Sequence, residues 1–473
     1  MNSNSTRNWT VALTAIGSLM AALDTLVVAS ALSTIRLDLG ASVEQLEWTV
    51  NAYNLSFAVL LMTGAALGDR FGRRRFYVIG LTVFALASAV CALAPTAGWL
   101  IAARAVQGAG AALLMPLGLA LLSAAFPPEK RGAAIGIFSA ITGLAVASGP
   151  LIGGAVVEGI SWEWIFWLNV PIGLIAAPLA LRRIEESFGS DTSLDIPGLA
   201  LVSAGAFGIV WALVRGNGAG WGSAEILGAL LGGLAFLVAF VSWERRAEHP
   251  MLPLRLFRSR SFSAGNVAIF FTLGALFSCV FLFAQFLQTS LGYSPLEAGL
   301  RLIPWTITFI LIAPAAGALA DRIGERPLIM AGLLLQAGGL LWLASIADAG
   351  MSYGSMVAPM VVAGVGVSMA IPAGQNAVVG ESEVGELGKA AAANSMMREL
   401  GGVFGIAVSV AVFGAAGSYA SAAAFGDGFS AAVAVAAGLS LAGAIAAAAL
   451  PSHRNVPTAT DPRPNPTQAR SNA

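Results

Sequence analysis

Asp24 is the residue of this chain best suited to moving a proton. It stands inside an apolar run from about Val11 to Leu32, where an ionised carboxylate costs roughly 2.5–3.5 kcal/mol on insertion scales. At 1.5 Å per residue it lies about 20 Å along a helix from the start of that run, in the far half. Desolvation disfavours the charged form, so a carboxyl there can take up and release a proton as its surroundings open and close. A second charge, Arg104, sits within another apolar run, with Gln107 one turn later on the same face. A guanidinium keeps its proton in a protein, so Arg104 is no carrier, but it can bias a nearby carboxyl toward ionisation. The structural alternative has Asp24 satisfied by hydroxyls or by Arg104, and Arg104 holding backbone carbonyls. Intramembrane ionisable groups default to function, and Asp24 is the expected proton carrier.

No other chemistry assembles. Cys91 and Cys279 each lie in an apolar run, as buried thiols do. His249 and His453 stand in polar segments far apart, so no His-based catalytic or metal cluster forms. No nucleophile–base pair or nucleotide-binding loop is visible. An enzyme is therefore not expected, nor a cofactor or a bound metal. The formal net charge of zero excludes the basic imbalance of a nucleic-acid binder.

What must position Asp24 is a membrane fold. Of 473 residues, 57% are apolar and only 11% charged, roughly half the charge of a soluble globular chain. At about 20 residues per crossing, the apolar runs predict fourteen helices. They lie near 11–32, 47–68, 76–94, 98–123, 132–156, 162–181, 194–214, 224–243, 263–287, 296–319, 327–346, 354–373, 395–417 and 429–450. The first run is too long for a signal-peptide core and is kept as an uncleaved helix. An even count places both termini on one side of the membrane.

Charge supplies the orientation. Gly64 to Arg75, GAALGDRFGRRR, packs Arg70, Arg73, Arg74 and Arg75 into one short turn, and short loops rich in Arg or Lys stay cytoplasmic. With that turn inside, Arg7, Lys130, Arg131, Arg182, Arg183, Arg245, Arg246, Arg322, Arg326 and Lys389 are inside as well. Only Arg36 and Arg215 fall clearly outside. A second version of the turn, GALADRIGER, runs from Gly317 to Arg326, as in a transporter built from repeated bundles. Eight predicted helices separate Asp69 from Asp321, where two tandem six-helix bundles would give six. The expected organisation is therefore an N-terminal bundle at 1–185, two inserted helices with their linkers at 186–262, a C-terminal bundle at 263–450, and a disordered tail at 451–473.

Three further sets of residues are candidates for function. Gly143, Ala147, Pro150 and Gly154 share one face of the fifth helix, where small residues let helices approach and Pro150 bends the rod. Asp69 with Arg70 and Arg73 can pair at a helix end, and breaking such pairs gates rigid-body rocking. For a substrate, Asn51, Tyr53 and Asn54 in the second helix and Phe277, Phe281, Gln285 and Gln288 in the ninth offer apolar surface with a few hydrogen-bonding groups. Core or lipid-facing packing is the ordinary alternative for such a stripe.

The chain resembles the major facilitator superfamily, specifically its fourteen-helix drug:proton antiporter branch. The resemblance rests on DRFGRRR, on Arg104-Ala-Val-Gln-Gly-Ala-Gly110, on Ser148-Gly-Pro-Leu-Ile-Gly-Gly154, on WEWIFWLNVPIG at 162–173, HPMLPLRLF at 249–257, SPLEAGLRLIP at 294–304 and RELGGVFGIA from Arg398. It implies an all-α membrane protein of two six-helix bundles plus two central helices, working by alternating access. Proton entry would drive export of a small hydrophobic or amphipathic compound, with no cofactor. It ties Arg104 to proton coupling, marks Gly149, Pro150, Gly153 and Gly154 as the antiporter motif, and makes Asp69, Arg70, Arg73, Asp321, Arg322 and Arg398 the conformational gate. Gln107 joins Asn51, Tyr53, Asn54, Phe281, Gln285 and Gln288 as expected substrate contacts. Where the family's first helix continues with Thr, Asn and Pro, this chain has Leu26, Ala29 and Ser33. With no acid in the tenth helix between Leu300 and Ala320, neutral, anionic or monocationic compounds are expected over dications. The alanine- and glycine-rich, lysine-poor composition suits a high-GC bacterium; the resemblance implies its inner membrane, and a monomer whose partners are substrate, protons and lipid. A proton-coupled importer or uncoupled facilitator on the same fold is the competing expectation.

Overall fold

The computed structural model describes residues 3–126, 128–189, 194–379 and 387–451. Outside them fall the tail after Pro451, the side chains of Lys130, Arg131, Asp321 and Lys389, and positions 143 and 147 of the small-residue face. The described residues form helices and no strand. Thirteen helical segments are long and apolar enough to cross a membrane, and α5 (Pro128–Gly159) is a further long rod packed among them. The fourteen predicted crossings thus correspond to fourteen rods.

The first five rods are α1 (Ser3–Leu39), α2 (Val43–Phe71), α3 (Arg73–Ala92), α4 (Ala97–Ala125) and α5. The sixth is broken into α6 (Trp164–Trp167) and α7 (Asn169–Arg183). Then come α8 (Ile196–Ala219), α9 (Ala224–Glu244) and α10 (Arg260–Thr289), and a tenth rod broken into α11 (Pro295–Arg301) and α12 (Ile303–Ile323). The last four are α13 (Glu325–Ile346), α14 (Tyr353–Val379), α15 (Leu387–Ala416) and α16 (Ala422–Ala447). Both breaks precede a proline that has no N–H for the helical ladder: Pro171 in α7 and Pro304 in α12. Apolar length alone could not reveal them.

The rods start and stop where local chemistry dictates. Ser42 and Ser294 form capping boxes with Gln45 and Glu297, and Thr96, Ser223, Ser259 and Ser421 each accept an N–H at the head of a helix. The two arginine turns reverse on Gly72 and Gly324, whose φ values of 113° and 86° fall in the left-handed region. A side chain there would be strained, so each DRFG-like sequence ends one helix and begins the next at a glycine.

Packing separates the two ends of the molecule. At the end away from the arginine turns, one apolar cluster runs through both halves, from Leu32 and Ile35 of α1 to Phe283 and Phe286 of α10 and Phe425 and Phe429 of α16. At the arginine-rich end each half has its own core, with Leu13, Tyr77 and Leu117 in one and Leu328, Leu333 and Ala447 in the other, and the halves meet along one side, where Met62 of α2 clusters with Val378, Ala390 and Met396. The far end is thus packed across both halves, while the arginine-rich end is bridged along the α2–α15 side. α8 and α9 pack on each other, and α8 also lies against α2 and α15, sharing a cluster in which Val210 and Val214 meet Leu55, Val59 and Val403. Much of the outer surface of α9, including Leu231 and Val238, is exposed and apolar, as lipid contact requires.

Candidate functional site

Asp24 and Arg104 meet. Nη1 of Arg104 donates to Oδ2 of Asp24, and both side chains are 1% exposed. The rest of the site is donors aimed at the same carboxylate: Gln107 Nε2 reaches Oδ1 at 2.8 Å and Asn169 Nδ2 at 3.2 Å. Gln107 also accepts from Arg104 Nη1 at 2.7 Å and donates to Ser88 Oγ at 2.8 Å. Arg104 Nε donates to the Thr49 carbonyl at 3.0 Å, and its guanidinium lies 4.2 Å from the centroid of the Tyr53 ring. Five rods supply these groups: α1, α2, α3, α4 and α7.

A buried ion pair is tolerable only when the remaining lone pairs and protons are also used, and the network largely does this. Asn169 arrives because the sixth rod breaks at Leu168, placing the first residue of α7 against α1. Sequence reasoning gave Asn169 and Ser88 no role; the WLNVPIG segment was the available signal for the first, and Ser88 left none.

Beside this network, with Leu26 and Ala29 of α1 and Phe57 of α2 on its wall, is a cavity of about 1630 Å³ between the two halves. It reaches the arginine-rich end, where Asp69, Arg73 and His249 line it. Deeper, its wall is mostly apolar and aromatic: Phe57, Met115, Phe277, Trp305 and Phe309, with Glu399 as a carboxylate on the wall. Leu26 and Ala29, which stand where the resemblance leads one to expect polar residues, are part of this lining.

The expected substrate contacts lie elsewhere. Asn51, Tyr53, Asn54, Gln107, Phe281, Gln285 and Gln288 are absent from the cavity wall. Tyr53 and Gln107 belong to the Asp24 network, and Phe281 is enclosed in the shared apolar cluster. Gln285 accepts from the Tyr419 hydroxyl at 2.5 Å, and Gln288 donates to the Ser30 carbonyl at 3.0 Å. Of the predicted stripe on α10, Phe277 alone faces the cavity, because helix rotation turns 281, 285 and 288 toward neighbouring rods.

The glycine motif of α5 sits at the joined end. The positions where Cβ atoms of residues 149 and 153 would stand are 2.7 Å from Leu26 Cβ and 2.9 Å from the Val27 carbonyl oxygen of α1. A Cβ on Gly154 would stand 2.9 Å from the Leu296 Cα of α11, and one on Gly299 would stand 2.5 Å from the Pro150 carbonyl oxygen. Small residues on both rods thus close a backbone-to-backbone seam between the halves. Glu158 accepts the Leu296 N–H across it at 3.0 Å.

At the open end, Arg73 Nε donates to Asp69 Oδ1 at 2.6 Å within one hairpin. Glu186 accepts the backbone N–H groups of Arg74 and Arg75 at 2.8 and 3.2 Å, pinning the start of α3. Arg70 stacks on Phe71, and Arg322 is exposed. Arg398, expected at the mouth of its helix, stands eleven residues into α15, roughly 17 Å along it, and lines the cavity. Prediction began that helix at 395, whereas its first two turns run from Leu387 to Asn394. On the opposite side Arg301, hidden inside a predicted crossing, occupies the break between α11 and α12, stacked 3.7 Å from the centroid of the Tyr293 ring.

A many-helix bundle that clasps a cavity between two halves, closed at one end, is the architecture of a membrane transporter. The family model of the Major Facilitator Superfamily matches residues 14–284 and 265–471, and the chain belongs to that family. It is 35% identical over 85% of its length to the tetracenomycin C resistance and export protein of Streptomyces glaucescens, covering 75% of that protein. It is 36% identical to the methylenomycin A resistance protein of Streptomyces coelicolor, over 83% of each chain. Among solved structures, a peptide transporter crystallised with sulfate superposes with a TM-score of 0.67 at 16% identity, over 94% of this chain and 96% of that one.

Proposed function

We propose that this chain exports small amphipathic compounds in exchange for protons. The observation that carries the reading is the pairing of a solvent-sealed Asp24–Arg104–Gln107 network with a large aromatic-lined cavity walled in part by the same α1 and α2. The resistance and export functions in the names of the relatives support the direction of transport. The arginine-rich end is cytoplasmic, so both termini are cytoplasmic in a bacterial inner membrane and the cavity faces inward. The moving bodies are the bundles at 1–185 and 263–450, with 186–262 riding on the α2–α15 seam, and one chain suffices.

In this state Arg104, Gln107 and Asn169 all donate to Asp24. A proton arriving at Oδ2 removes the charge that fixes Arg104, releases its grip on the Thr49 carbonyl of α2, and so loosens α1 and α2 against α4. Opening the α5–α11 seam then exposes the cavity outward while Asp69, Arg70, Arg73, Asp321, Arg322 and Arg398 draw together at the cytoplasmic end. Each 100 mV of membrane potential supplies about 2.3 kcal/mol per charge moved inward. The test is dye uptake by inverted vesicles with an imposed acid-inside gradient. Accumulation that vanishes when the gradient is collapsed is expected. Accumulation only in right-side-out vesicles marks an importer, and gradient-independent equilibration marks a facilitator.

A further inference from the structure

Asn54 is fully enclosed, and neither its Oδ1 nor its Nδ2 makes a hydrogen bond with any described residue. One turn away, Asn51 is equally buried; its Nδ2 donates to Glu47 Oε1 at 3.4 Å, while its Oδ1 has no partner among the described residues. Leaving such groups dry is costly, and α2 does so where apolar side chains would fit.

Positions 47, 51, 54, 58, 61, 65 and 69 recur at steps of three or four and share one face of α2. Leu61, Ala65 and Asp69 line the inward cavity. Glu47, Asn51 and Asn54 therefore continue the cavity-facing stripe toward the closed end, over about 10 Å. Opposite this end stand contacts that hold the halves together: Gln288 on the Ser30 carbonyl, and the Arg36 guanidinium 4.2 Å from the centroid of the Tyr419 ring, whose hydroxyl donates to Gln285 within the C-terminal half. Burial raises the pKa of the Tyr419 phenol, Arg36 lowers it and Glu47 raises it further, while α2 packs against α15, the helix that precedes Tyr419. Rocking that closes the inward cavity must part these contacts and turn the stripe into the wall of an outward one.

We infer that Glu47, Asn51 and Asn54 form an outward-facing ligand subsite, occluded in the state described, that takes the hydrogen-bond-donating end of an amphipathic substrate. Its unpartnered groups are Asn51 Oδ1 and the Oδ1 and Nδ2 of Asn54, two acceptors against one amide, beside Glu47, whose Oε1 accepts from Asn51. Neutral or monocationic compounds bearing N–H or O–H groups match it. The inference rests on the export reading above.

Two measurements on the full chain in cells test it. Asn54→Cys is probed with a membrane-impermeant maleimide from outside, with Leu37→Cys at an exposed position as the positive control and the parent, whose Cys91 and Cys279 are buried, as the baseline. Export of rhodamine 6G, a monocation with N–H donors, is compared with that of tetramethylrhodamine ethyl ester, a monocation of similar shape without them, in wild type and Asn54→Leu. Labelling of the Asn54→Cys variant in energised cells is expected, with rhodamine 6G export in Asn54→Leu falling about tenfold more than that of its partner. Labelling of Leu37→Cys but never of Asn54→Cys overturns the inference, as does an equal loss for both dyes. If the wild type exports neither dye while Asn54→Cys is still labelled, the export reading fails and the outward-facing subsite stands.

Discussion

Removing Arg104 should destabilise the protein in a way that removing Asp24 repairs. In Arg104→Leu the Asp24 carboxylate, 1% exposed, keeps Gln107 and Asn169 as donors but loses its charged partner. Breaking a buried pair from one side costs about 3–5 kcal/mol, whereas replacing both members with apolar residues is often close to neutral. The Thr49 carbonyl also loses its donor, which adds about 1 kcal/mol. The single variant should thus melt on the order of 5–10 °C lower, and Asp24→Leu/Arg104→Leu should recover at least half of that loss while remaining dead for transport. The assay is thermal unfolding of purified protein in one detergent, with the four proteins forming a double-mutant cycle. Additive losses, with no coupling beyond about 0.5 kcal/mol, would refute the idea that the two charges satisfy each other.

Three further changes separate the seam and the cavity from the general core. Gly154→Val places a branched side chain against the Leu296 backbone, 2.9 Å from where its Cβ begins, and should prevent full closure; proteoliposomes carrying it should leak protons severalfold faster than wild type, as read by an internal pH dye. Phe277→Ala, on the cavity wall, should shift dye affinities about tenfold with little effect on melting. Phe281→Ala, 1% exposed in the shared cluster, should instead lose about 3–5 kcal/mol of stability and leave dye selectivity alone in whatever protein folds.

The rods and the buried charges were legible in the sequence for physical reasons. Apolar length cannot be disguised in a chain that crosses lipid, and an Asp or Arg inside such a run has few places to go. DRFG-like turns announced themselves through arginine, although their glycines matter as much, through positive φ at Gly72 and Gly324. What stayed hidden depends on rotation about helix axes and on which end of the bundle is closed. Asn54 and Phe57 lie a turn apart on α2, yet one is sealed and the other faces the cavity. Asn169 reaches Asp24 only because of a helix break that hydropathy does not register. Leu26 and Ala29, read as losses of polar contact, are places where an apolar compound can lie.

Proton exchange at Asp24 is most directly tested in proteoliposomes loaded with a pH dye, where substrate is added to wild type and to Asp24→Asn. Substrate-driven proton movement in the wild type, abolished in Asp24→Asn although the variant folds and still binds substrate, is the predicted result. Proton movement and protonophore-sensitive export that persist undiminished in Asp24→Asn would show that this carboxylate is only structural.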